Sequence, residues 1–147
     1  MFMNTVLSFP QSGLIGPMGA LPDGAVREHV WKLLAARYPA GKFTERRVEQ
    51  RFPYPQLIHL SPLASDGVTA CGEPLVVVGK HLSERGLGFF HQHPLPHRRM
   101  LASLEMRHEV WVGLIIDITW CRFTHHGWYD SGGRFLRAVP SPLAHAS

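Results

Sequence analysis

The chain has 147 residues, of which 45% are hydrophobic and 18% charged. That is the size of one domain and the composition of a folded chain, so a multidomain enzyme and a disordered segment are both excluded. The longest apolar run, Val110 to Ile116, stops at Asp117, far short of the roughly 20 residues of a spanning helix, and no membrane insertion is expected. The N-terminal residues carry no basic leader, and two cysteines, Cys71 and Cys121, do not make a disulfide framework, so a cytoplasmic setting is expected.

The formal charge is +4, carried by twelve arginines against three lysines. Arginine presents a planar fork of donors suited to phosphates and base edges, which favours an anionic partner; codon bias in a GC-rich genome would give the same count.

In chain order, residues 1–24 are rich in Gly, Pro and Met without period and read as a loosely ordered arm. Val26, Val30, Leu33 and Leu34 then recur at helical spacing between Asp23, a capping residue, and Pro39. They predict one amphipathic helix, roughly Gly24 to Tyr38 with 25–38 as its body. A polar connector follows over Gly41 to Arg51.

The remainder reads as strand and turn. Leu57–Leu60, Pro74–Lys80, Gly86–His91 and Met100–Met106 are short runs bounded by Pro, Gly, Ser or Asp. From Val110 to Trp120 the apolar residues Val110, Val112, Leu114, Ile116, Ile118 and Trp120 alternate with others that include Asp117 and Thr119, the pattern of a half-buried strand. Trp128-Tyr129 and Phe135–Val139 supply the last pairing partner, across a turn at Gly127 or Gly132-Gly133, and the tail over 140–147 is expected to fray. The fold class is therefore all-β with a minor helix: a small six-stranded antiparallel barrel over 41–139.

Two motifs carry chemistry. Arg47-Val48-Glu49-Gln50-Arg51 sets two arginines four apart just before the first strand. His81-Leu82-Ser83-Glu84-Arg85-Gly86 then opens the strand Leu87-Gly88-Phe89-Phe90. Each alone is expected about once by chance and has a plain structural reading. The first would be a solvated connector. The second would be a tight turn in which Ser83 bonds the backbone and Gly86 takes a positive φ.

In this order they resemble the signature of the PilZ domain family, the bacterial receptor module for cyclic di-GMP: Arg-x-x-x-Arg, then Asp/Asn-x-Ser-x-x-Gly opening the next strand of a six-stranded barrel. Arg47, Arg51, Ser83 and Gly86 match, and the segment from Trp120-Cys121-Arg122 through Tyr129, Gly133 and Phe135 is similar to the family's last hairpin. The resemblance covers roughly residues 45–139. It implies a non-enzymatic second-messenger receptor that takes cyclic di-GMP, needs no cofactor and acts on an unidentified effector protein. By the same resemblance Arg47 and Arg51 would clamp the ligand, Ser83 and Gly86 would shape its platform, and Arg46 and Arg122 would be auxiliary cations. His81 stands where the family has Asp or Asn. A neutral imidazole offers one acceptor and a protonated one none, so this base contact is weakened. Two alternatives remain open at this point: a PilZ fold that has lost its nucleotide and works by protein contact, and a basic barrel for RNA or single-stranded DNA. The latter is disfavoured because the arginines concentrate in the connector.

No catalytic constellation is found, and no metal is expected. His91, His93 and His97 could share a strand face, but Pro94 and Pro96 argue for a loop and a solvated strand end. His125-His126 are expected in an exposed hairpin turn. Trp31, Trp111 and Trp120 are assigned to the core; of the four, Trp128 is the best candidate to lie near a ligand, although the core is the expected place for it too.

Overall fold

The computed structural model describes residues 24–38 and 50–145. The expected arm, apart from Gly24, and residues 39–49, which include most of the expected connector with Arg46 and Arg47, lie outside the described residues. Helix α1 spans Gly24–Arg37, and the N–H of Tyr38 in the bend that follows still bonds the Leu34 carbonyl at 2.8 Å. Val26, Val30, Leu33 and Leu34 form its buried face and join the core of the barrel. At its C-terminal end the Arg37 guanidinium donates to the Glu105 carbonyl at 3.0 Å, which fixes the helix against the end of a strand. No helix among the described residues is long and apolar enough to cross a membrane.

Seven strands follow: β1 (Phe52–Pro53), β2 (Leu57–Ser61), β3 (Leu75–Leu82), β4 (Gly86–His91), β5 (Arg99–Arg107), β6 (Val110–Phe123) and β7 (Tyr129–Val139). All pairings are antiparallel, in the order β3-β2-β5-β6-β7-β4, and a β3–β4 ladder closes the ring into a six-stranded barrel. The two-residue strand β1 continues the line of β2 along β3, pairing Phe52 with Leu82 and Pro53 with His81. The expected all-β small barrel with a minor helix is the fold observed.

Three details correct or sharpen the sequence-based expectation. First, strand β6 alternates as expected only from Val112 to Ile118, whose inward residues are core. Thr119 is an extra residue between Ile118, opposite Gly133, and Trp120, opposite Gly132. Such a bulge reverses which face the following residues occupy, so Trp120 turns outward instead of joining the core. Second, of the two turn positions expected the hairpin uses Gly127, with φ of 86°, and β7 runs unbroken through Gly132-Gly133. Third, the tail does not fray over its described part. Pro142–His145 form a 3-10 turn, and buried Ser141 shares a 2.7 Å hydrogen bond with Ser103.

Asp117 does lie on the face opposite the apolar residues of β6, yet it is fully buried. The Arg98 guanidinium grips it with a two-pronged contact, Nε at 2.7 Å and Nη2 at 3.2 Å, while Arg99 Nε and Arg134 Nε approach to 3.5 and 3.9 Å. A buried carboxylate is tolerated only when paired in this way, and removing it leaves guanidiniums converging without a counterion. Asp117→Ala is therefore expected to lower unfolding stability by about 3 kcal/mol in urea denaturation; a loss below about 1 kcal/mol would show that solvent already screens the cluster.

Candidate functional site

The turn joining β3 to β4 is the Ser83-Glu84-Arg85-Gly86 motif. The Ser83 N–H bonds the Gly86 carbonyl at 2.9 Å, and the Ser83 hydroxyl oxygen accepts the N–H groups of Arg85 and Gly86, both at 3.2 Å. The Arg85 carbonyl accepts from the Phe135 N–H at 2.8 Å, which ties the turn to β7. Gly86 is not in a positive-φ conformation, contrary to the expectation for this turn. It must be glycine because a Cβ there would lie 2.1 Å from the Gly133 carbonyl oxygen.

Beside this turn, four strands bring one residue each into a single cross-sheet row: His81, Gly88, Gly132 and Trp120. The two outer members are aromatic and the two inner ones glycine. A Cβ at Gly88 would meet the His81 ring at 2.6 Å, and one at Gly132 would meet the Trp120 indole at 2.6 Å. Both rings therefore rest over the glycine pair and form an aromatic floor. His81 reaches it for the same reason as Trp120, because Lys80 is an extra residue in β3 between Gly79, opposite Phe89, and His81, opposite Gly88.

This floor lies in a groove of about 210 Å³ whose lining includes Arg51, His81, Ser83, Arg85, Trp120 and Arg134. The Arg85 Nε is buried and has no hydrogen-bond partner among the described residues. Burying such a donor without an acceptor is costly, and an anionic ligand would supply one. Two further cations lie close to Trp120. Arg122 and Lys80 sit over its ring at 5.4 and 5.8 Å, and both are paired with buried Asp130, at 3.3 and 3.0 Å. Burial, chiefly, and then the nearby charges of Arg51 and Lys80 push the His81 pKa below the ordinary histidine range. The ring is neutral at pH 7, with one donor and one acceptor nitrogen.

Of the residues singled out in the sequence, Arg51, His81, Ser83 and Gly86 line one groove, and Arg122 stands next to it against Trp120. Arg46 and Arg47 lie outside the described residues. Trp120, Arg85, Arg134 and the glycines 88 and 132 were missed. Glycines inside a strand were the available signal, since they mark the close approach of another group. Trp128 lines a separate apolar depression with Phe90 and Val78. Trp111 is half-buried, edge-on to His59 at 5.3 Å, and is not in the core cluster.

His91 is not at a solvated strand end. It is buried, stacked on Tyr129 at 5.2 Å. Its Nδ1 lies 2.7 Å from the His93 carbonyl, which can only accept, so Nδ1 carries the proton and Nε2 accepts from the Ser131 hydroxyl, also at 2.7 Å. Burial pushes its pKa down and pushes the Cys121 thiol up, so at neutral pH the ring is neutral and the thiol protonated. Both histidines disfavour protonation when folded. Their contribution to stability is present above pH about 6.5 and is lost as pH falls through their folded pKa values.

Comparison with protein-family models, characterised proteins and solved structures finds no match to this chain. What the groove does rests on its residues.

Following the His81 ring protons by NMR against pH tests the groove's electrostatics. The midpoint is expected below about 6.5, and Arg51→Ala should raise it part of the way back, with burial retaining the rest. A midpoint unmoved by that substitution would show that Arg51 does not face His81.

Proposed function

We propose that the groove binds cyclic di-GMP and that the chain is a non-enzymatic receptor of the PilZ type, passing the signal to an effector protein. The observation that carries this reading is the convergence, in one groove, of the motif residues Arg51, His81, Ser83 and Gly86 with an aromatic floor and two further arginines. A ligand that suits such a groove has both flat aromatic faces and negative charge. Guanine stacks on Trp120 and His81, and its O6 and N7 edge accepts the fork of an arginine. The phosphates take Arg85, Arg134 or Arg51.

The volume supports a division of labour. A groove of about 210 Å³ is smaller than the roughly 300–1,000 Å³ of enclosed ligand pockets. It seats one base and a phosphate, and the rest of the dinucleotide is left to Arg47 and Arg46. The Ser83 hydroxyl oxygen is engaged by two backbone N–H groups, so its role is to shape the turn. His81 in place of a carboxamide or carboxylate favours a second reading, in which the fold has lost its nucleotide and serves as a protein-contact surface.

Calorimetric titration with cyclic di-GMP separates the two, with single-stranded RNA as control. Binding to the wild-type chain is expected, abolished by Arg47→Ala or Arg51→Ala and weakened about tenfold by Trp120→Ala, the cost of one lost stack. Melting temperatures of the arginine variants should stay near wild type. Unchanged affinity in both arginine variants would refute the clamp, and absence of binding by the wild-type chain would favour the protein-contact surface.

A further inference from the structure

Helix α1 touches both walls of the groove. On one wall, Glu84 lies between Ser83 and Arg85 but points away from the groove and is buried, 7% exposed. Its carboxylate accepts the Trp31 indole N–H and pairs with Arg27 Nε at 3.5 Å. On the other wall, Phe52 follows Arg51 directly. It packs edge-on against the same Trp31, centroids 6.0 Å apart at 70°, and against Tyr38 at 6.0 Å. The Tyr38 hydroxyl donates to the Pro53 carbonyl at 2.6 Å, one residue further on. Trp31 is thus the side chain common to both walls.

The turn that carries Glu84 is stiff. Its hydrogen bonds run from Ser83 to Arg85 and Gly86 and from Arg85 to Phe135, so a displacement of Ser83 or Arg85 also moves the Glu84 carboxylate. The Arg51 side has its own lever, because Phe52 cannot shift without breaking its contact with Trp31. The helix is held otherwise by one apolar face and by Arg37 at its end.

We propose that α1 is the regulatory element of the groove: its docking, through Trp31, braces both Arg51's neighbour Phe52 and the Ser83–Gly86 turn, which the Phe52–Leu82 pairing also joins, so that helix docking and groove occupancy are coupled. A ligand drawing both walls together holds the helix down. By reciprocity, a partner that grips α1 loosens the groove. The ligand half of this coupling rests on the nucleotide reading; the mechanical half does not.

Hydrogen exchange on the full chain, wild type against Trp31→Phe, tests the mechanical half without ligand. Phenylalanine keeps an aromatic ring against Phe52 while it removes the N–H donor to Glu84 and part of the indole's packing. Exchange is expected to quicken at least about threefold in three segments together, residues 24–38, 51–54 and 83–86, with β5 and β6 unchanged. Quickening confined to the helix would overturn the proposal. Glu84→Gln, which keeps an acceptor for Trp31 but drops the charge facing Arg27, should give a smaller change in the same three segments. With saturating cyclic di-GMP, the wild-type helix should slow along with the turn; protection of 83–86 without protection of 24–38 would overturn the coupling. Absence of binding would overturn the nucleotide reading instead, while the ligand-free comparison still decides the coupling.

Discussion

Two single-residue slips in strand register make this groove. Had β3 kept regular alternation through Lys80, His81 would point into the barrel; had β6 kept it through Thr119, Trp120 would do the same. Each slip carries an aromatic ring to the outer surface, at matching heights on strands separated by two others. The intervening strands must then present no side chains in that row, and Gly88 and Gly132 meet this requirement. Bulges and glycines are one device: a ring turned outward needs a floor to lie on, and a strand-interior glycine otherwise weakens its strand for no return.

Charge is arranged around this floor with similar economy. The buried carboxylates Asp117 and Asp130 each gather more than one cation, Asp117 drawing three arginines and Asp130 a lysine and an arginine. They hold long side chains in fixed positions near the groove while leaving the neighbourhood net positive. Arg51 is exposed, and Arg85 buries a donor that has no acceptor among the described residues. Fixed cations beside a stacking surface suit a phosphate-bearing aromatic ligand, because part of the ordering entropy is met in folding and not on binding.

Much of the barrel was legible in the sequence because strand alternation and turn residues report local geometry. The helix was legible from the spacing of Val26, Val30, Leu33 and Leu34, and the strands from short apolar runs between breakers. The failures share one physical cause. Alternation counts residues along one strand, whereas a bulge is decided by the partner strand, so Trp120 fell in phase with Ile118 and was assigned to the core. Gly132-Gly133 resembles a turn when its neighbours are unknown; in the barrel the Trp120 ring covers Gly132, and a Cβ at Gly133 would lie 2.3 Å from the Asp117 carbonyl oxygen. The motif residues were legible as types in an order. Arg85 and Arg134 were not, since only the fold shows which arginines face the groove.

The most direct measurement is an NMR titration with cyclic di-GMP that follows the four indole N–H resonances, assigned by single Trp→Phe variants. The Trp120 resonance should move strongly upon binding, while those of Trp111 and Trp128, on other parts of the surface, should hardly move. Binding that leaves Trp120 unmoved, or that instead shifts Trp128, would contradict the aromatic floor as the seat of the ligand.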